Sequence, residues 1–186
     1  MGITQVSTSS LTLPKKYNTF SSGMSIGIYD SINTSIAGVG GTTSVTFGSI
    51  PSTYTHLQIR VYGIVAAGVT NLAVQFNGDT AANYWWHQLY GTGAAPGANN
   101  AGTLGSFMYM PPSSSQPSAM VLDVLDYTNT NKYKTMRGIG GVHTNAAGQV
   151  SLNSGMWNST AAITSITLYG ATYAQYSHFA LYGIKG

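Results

Sequence analysis

Glutamate is absent from this 186-residue sequence, cysteine is absent, and Asp, Lys and Arg together make up 6% of it. An average globular chain is roughly 25% charged. Ser, Thr, Asn and Gly must therefore supply most of the polar surface. Without cysteine there can be no disulfide, thiolate zinc site or cysteine nucleophile. Clustered carboxylates, the usual calcium ligands, are out of reach with four Asp and no Glu. Long apolar runs are missing too: no stretch approaches the ~20 residues of a membrane-spanning helix. The opening MGITQVSTSSLTLPKK lacks the basic start and apolar core of a secretion signal. The chain is expected to be made as a soluble protein in the cytoplasm and to leave the cell by lysis.

The seven basic residues are scattered, and the formal charge of +3 reflects the scarcity of acids. Nucleic-acid binding needs Lys and Arg gathered on one face, so no nucleic-acid partner is expected. What the chain does have is 43% hydrophobic residues, 13 Tyr and three Trp, enough apolar surface to offset chain entropy. Its length suits one core.

Strand signals run throughout and helix formers are scarce. SVTFGSI (44 to 50), YTHLQIRVYGIV (54 to 65), NLAVQFNG (71 to 78), NYWWHQLYG (83 to 91) and TLGSFMYM (103 to 110) each have a strand's length. SAMVLDVLDY (118 to 127), KYKTMRGIGG (132 to 141), QVSLNSGMWN (149 to 158), ITSITLYG (163 to 170) and SHFALYGI (177 to 184) follow. Ten short segments separated by Gly, Pro, Asn and Ser predict an all-β fold, an antiparallel sandwich. In YTHLQIRVY the alternation places Leu57, Ile59 and Val61 in the core, with His56, Gln58, Arg60 and Tyr62 outside.

Residues 1 to 41 differ from the body at 42 to 186. They hold Pro14, paired lysines and many small residues, and read as an extended N-terminal arm with one or two strands, suited to lying on a neighbour. Lys15, Lys16, Tyr17 and Phe20 are its candidate contacts. GTGAAPGANNAG (91 to 102) and PPSSSQPS (111 to 118) read as rim loops. The stretches from Ser44 and from Ser165 resemble each other, each running Ser-Val/Ile-Thr-Phe/Leu, a turn, Tyr-Thr/Ser-His, then Tyr-Gly-Ile. They are expected to be two hairpins of similar build.

Chemistry is sparse. A glycosidase needs two convergent carboxylates. Asp79 sits in the turn NGDT, where Asp bonds its own backbone, and Asp123 and Asp126 fall on opposite faces of a strand. His56, His87, His143 and His178 are isolated, so no metal site is expected. His56 and His178 hold matching places in the two related stretches, which favours a structural role such as bonding a strand-end carbonyl. No Gly-x-Ser-x-Gly elbow occurs, and GVGGTT lacks the Lys-Ser/Thr ending of a phosphate loop. No enzyme activity and no cofactor are expected.

Aromatic surface remains. Tyr and Trp with nearby amides can stack a sugar, but they equally build a core or a subunit contact. NYWWHQLYG, following NGDT, is expected to be the return strand of a hairpin with NLAVQF, so its tryptophans face opposite ways. Trp85, His87 and Leu89 share one face, and Leu89 favours that face for the interior. Tyr84, Trp86 and Tyr90 are then the candidate outward stripe, for a subunit contact or a glycan.

SVTFGSIPSTYTHLQIRVYG (from Ser44), NLAVQFNGDTAANYWWHQLYG (from Asn71), DYTNTNKYKTMRG (from Asp126), SGMWNSTAAITSITL (from Ser154) and the closing HFALYGIKG resemble, in that order, a family of small bacteriophage virion proteins common in phages of marine and cyanobacterial hosts. The resemblance spans residues 42 to 186. It implies a jelly-roll sandwich used in head-decoration (cement) proteins or in tail-fibre and receptor-binding proteins, without catalytic residues. The expectations are a non-enzymatic virion surface protein, a major capsid protein or other virion protein as partner, a homotrimer, and as alternative a tail-located module that binds host-surface glycans.

Overall fold

The computed structural model describes residues 28–67, 72–106, 116–143 and 148–186. The chain is an antiparallel β-sandwich, with no helix among these residues. Its strands are β1 (Tyr29–Ile36), β2 (Thr42–Phe47), β3 (His56–Gly63), β4 (Val65–Ala67), β5 (Ala73–Phe76) and β6 (Tyr84–Gly91). They continue as β7 (Pro96–Leu104), β8 (Ser118–Leu125), β9 (Lys134–His143), β10 (Gly148–Trp157), β11 (Ile166–Tyr173) and β12 (His178–Ile184). A large sheet of eight strands runs β1-β12-β3-β8-β9-β10-β6-β7, and a small sheet runs β2-β11-β4 with β5 also on β11.

Alternation builds the core between them. Leu57, Ile59 and Val61 of β3 are buried, as the pattern predicts, and so are Met120, Leu122 and Val124 of β8. Each fully buried aliphatic or aromatic side chain contributes about 1.5–3 kcal/mol. Ring contacts tie the sheets together: Tyr173 of β11 meets Phe179 of β12 edge-on at 5.0 Å, and Phe76 of β5 meets Trp157 of β10 at 5.6 Å.

NLAVQF and NYWWHQLYG do not form the expected hairpin, because β5 pairs with β11 in the small sheet and β6 with β10 and β7 in the large one. The two related stretches are not hairpins either. In each, the first strand lies in the small sheet and the second in the large one, so the intervening segment crosses the sandwich. The stretches pair with each other: β2 with β11, and β3 with β12. Val45 opposes Leu168 and Phe47 opposes Ile166, around a central pair, Thr46 and Thr167. Because Val45 corresponds to Ile166 and Phe47 to Leu168, the pairing is self-complementary, like a twofold contact within one chain. The same holds in the large sheet, where His56 opposes Ile184 and Tyr62 opposes His178, around Ile59 and Leu181.

Two boundaries differ from the sequence reading. Residues 29–36, assigned to the arm, form edge strand β1 on β12, and Ala37 is in the core. Pro96–Leu104, read as mostly rim loop, is edge strand β7 on β6. Its glycines are sites of close approach. A Cβ on Gly97 would lie 2.3 Å from Tyr90 Cζ, and one on Gly102 would lie 2.3 Å from Trp85 Cδ1. Small residues here receive aromatic rings from the neighbouring strand, and Pro96 is tolerated at an edge.

Candidate functional site

The aromatic stripe proposed from the sequence points inward. Tyr84 is fully buried, Trp86 packs against the core, and Tyr90 lies half-buried against Gly97. Tyr84 Oη accepts the Phe76 N–H at 3.0 Å and donates to the Asp79 carbonyl at 3.1 Å, and burial pushes its hydroxyl up to about 12. The opposite face, expected inside, is outside: Leu89 is 62% exposed and His87 is exposed. Register explains the reversal. Tyr84 opposes Trp157 and Gln88 opposes Asn153, so the inner side of β6 runs from aromatic to amide, and its one leucine is left facing solvent. The arm candidates Lys15, Lys16, Tyr17 and Phe20 lie outside the described residues.

Each aspartate serves the scaffold. Asp79 accepts from Trp157 Nε1 at 2.7 Å, Asn83 Nδ2 at 2.9 Å and the Ala81 N–H at 2.9 Å. Its burial would raise the pKa, but these donors outweigh that and hold the carboxyl below its usual range. Asp126 is lowered by its bond from Lys132 Nζ. Asp30 pairs with Lys185 at 2.8 Å, and Asp123 accepts from Gln58 Nε2 at 2.8 Å. His56 Nδ1 accepts the Asp126 N–H at 2.9 Å, so this histidine holds a strand-end amide where a strand-end carbonyl was expected. Among the described residues no three His, Cys, Asp or Glu gather to hold a metal ion.

One surface stands apart. On the outer side of the large sheet, strand register aligns Ala98, Leu89, Leu152, Ile139 and Val121 in one row across β7, β6, β10, β9 and β8. Leu152 is 53% exposed and Ile139 is 56% exposed. Val150, at 57% exposed, stands in the next row between Gly91 and Gly141. On the other side runs a polar row: Asn100, His87, Ser154, Arg137 and Asp123. Between the apolar and polar rows lies an open groove of about 540 Å³, with Leu89, Leu152 and Ala98 as its apolar lining and Asn100, His87 and Arg137 among its polar groups. Farther along the face, Arg60 bonds Gln58 at 2.8 Å and lies over the Tyr182 ring at 4.7 Å. Arg137 opposes Asp123 in register, yet among the described residues no ion pair joins them.

Sequence reasoning missed this row, although a signal was present. In QVSLNSGMW, Trp157 and Leu152 have opposite parity, so with Trp157 inside and no bulge Leu152 must face out.

No family model matches the chain, and neither a curated protein nor a solved structure matches it.

Proposed function

We propose that the protein is a non-enzymatic surface component of a bacteriophage virion, and specifically a capsid decoration protein. Its sandwich, of the jelly-roll kind, packs on the head lattice through repeated subunit contacts and the N-terminal arm. The observation that carries this reading is the exposed aliphatic face of the large sheet, where Leu89, Leu152, Ile139 and Val150 adjoin. A patch of this kind on a surface poor in charge is suited to contact with other protein. The resemblance over residues 42 to 186 supports the virion setting, and the structural engagement of all four carboxylates supports a non-enzymatic role. Many weak contacts repeated over a shell add to a large avidity, so no single strong site is required.

The test is incubation of the purified protein with undecorated phage heads, followed by co-sedimentation. Saturable binding is expected. The arm is tested by deleting residues 1–27, which leaves β1 intact; undiminished binding would remove the arm from the mechanism.

A second reading, a tail-located module for host-surface glycans, draws on the groove, where Asn100, His87 and Arg137 stand beside apolar residues. It requires binding of isolated host polysaccharide, abolished by Arg137→Ala without loss of melting temperature.

A further inference from the structure

We infer that the outer face of the large sheet, over β7, β6, β10, β9 and β8, is the surface on which a second copy of this chain packs. The inference rests on the assembly reading and names its subunit surface.

The exposed aliphatic side chains are contiguous: Leu89 opposes Leu152, which opposes Ile139. Single exposed aliphatics are ordinary, but a row of cross-strand neighbours is a patch. The face that carries the patch has the extent of a protein contact. Five strands about 4.8 Å apart span roughly 19 Å, and strands of this length run about 30 Å. The whole face, polar row included, is thus roughly 600 Å², against the ~800 Å² that each partner gives to a standard interface.

Charge points the same way. Arg137 and Asp123 stand in one row of this face, and Arg60 borders it beside Val121, so the face carries both signs of charge and a second copy meets no field of a single sign. Shape does as well. Val150 projects between Gly91 and Gly141, and on the Gly141 side an open hollow bounded by Ile139 and Val121 offers a seat for an aliphatic side chain of the second copy. A saccharide is the weaker occupant, because the groove, although polar groups share its lining with Leu89, Leu152 and Ala98, has no aromatic plate in that lining on which a sugar ring could stack.

The experiment is sedimentation equilibrium of the full chain over a wide concentration range, compared with Leu89→Asp/Leu152→Asp and with Val39→Asp. Val39 is 90% exposed in the turn after β1, away from the face, and serves as the control. Reversible self-association of the native chain is expected. The double variant should weaken it by about 100-fold or more, because two carboxylates would have to be desolvated where two aliphatic side chains had packed. Far-UV circular dichroism should be unchanged, and the Val39 variant should associate like the native chain. If the double variant loses its native spectrum, Val150→Gln takes its place, with a loss of about 10-fold expected.

A native chain that stays monomeric at every concentration would overturn the inference. So would association that the face variants leave intact, or that Val39→Asp weakens equally. A monomer that binds polysaccharide through Arg137 would also overturn it, in favour of a groove ligand. A chain that binds phage heads as a strict monomer sinks the interface and leaves the proposed function standing. Self-association without head binding sinks the proposed function alone.

Discussion

Trp157 donates its indole N–H to Asp79 Oδ2 at 2.7 Å, linking the end of β10 to the turn between β5 and β6. The same carboxylate takes Asn83 and Ala81, so one short side chain fixes the turn and orients the tryptophan that stacks on Tyr84 at 6.3 Å. Asp79→Ala leaves the Trp157 donor without its acceptor. A loss of about 2–3 kcal/mol is expected in urea unfolding.

The pH dependence follows from the same groups. Asp79 and Asp126 have folded pKa values below those of the unfolded chain. Their stabilisation is therefore complete above the unfolded value of about 4 and is lost as pH falls through the folded values. The melting temperature should be flat above about pH 5 and fall below pH 4. Asp126→Asn should make that fall shallower, and a variant curve parallel to that of the native chain would contradict this assignment.

Lys134 is buried at 1% exposure, and its Nζ donates to the carbonyls of Asn129, Lys132 and Thr160 at 2.5, 3.1 and 3.1 Å. Burial first, and then the Lys132 charge, lower its pKa. Lys134→Met keeps the aliphatic stem and removes the donors, stranding the three carbonyls. The expected cost is about 2–4 kcal/mol in chemical denaturation, larger than for Lys132→Met at the more exposed partner of Asp126.

The two adjacent tryptophans divide the β6 hairpin. Trp86→Ala opens a hole beside Met136 and Leu122 and should cost about 3–4 kcal/mol. Trp85→Ala removes a ring that lies over Gly102 on the outer side and should cost less than half as much. Gly102→Ala should displace that indole and shift the tryptophan emission, because the added carbon has no room beside Cδ1.

Much of the fold was legible because its strands alternate. Leu57, Ile59 and Val61 announce the core side of β3 without any tertiary information. The site was harder to read, for two physical reasons. Leu89 is the one aliphatic residue of its strand, and apolarity alone placed it inside; the register with β10 reverses this, and register is a property of two strands. Gly97 and Gly102 read as loop because a glycine's role as a seat for Tyr90 or Trp85 depends on a neighbouring strand that the local sequence does not name. The relation between the segments starting at Ser44 and Ser165 was visible, but not that they pair with each other across both sheets, as Thr46 and Thr167 show with hydroxyls 3.0 Å apart.

The decoration reading is tested most directly by locating this protein in a reconstruction of the intact virion. The account predicts sandwich-shaped density repeated over the head lattice, with the outer faces of the large sheets turned toward one another. Density confined to the tail, or a particle that lacks the protein, would contradict it.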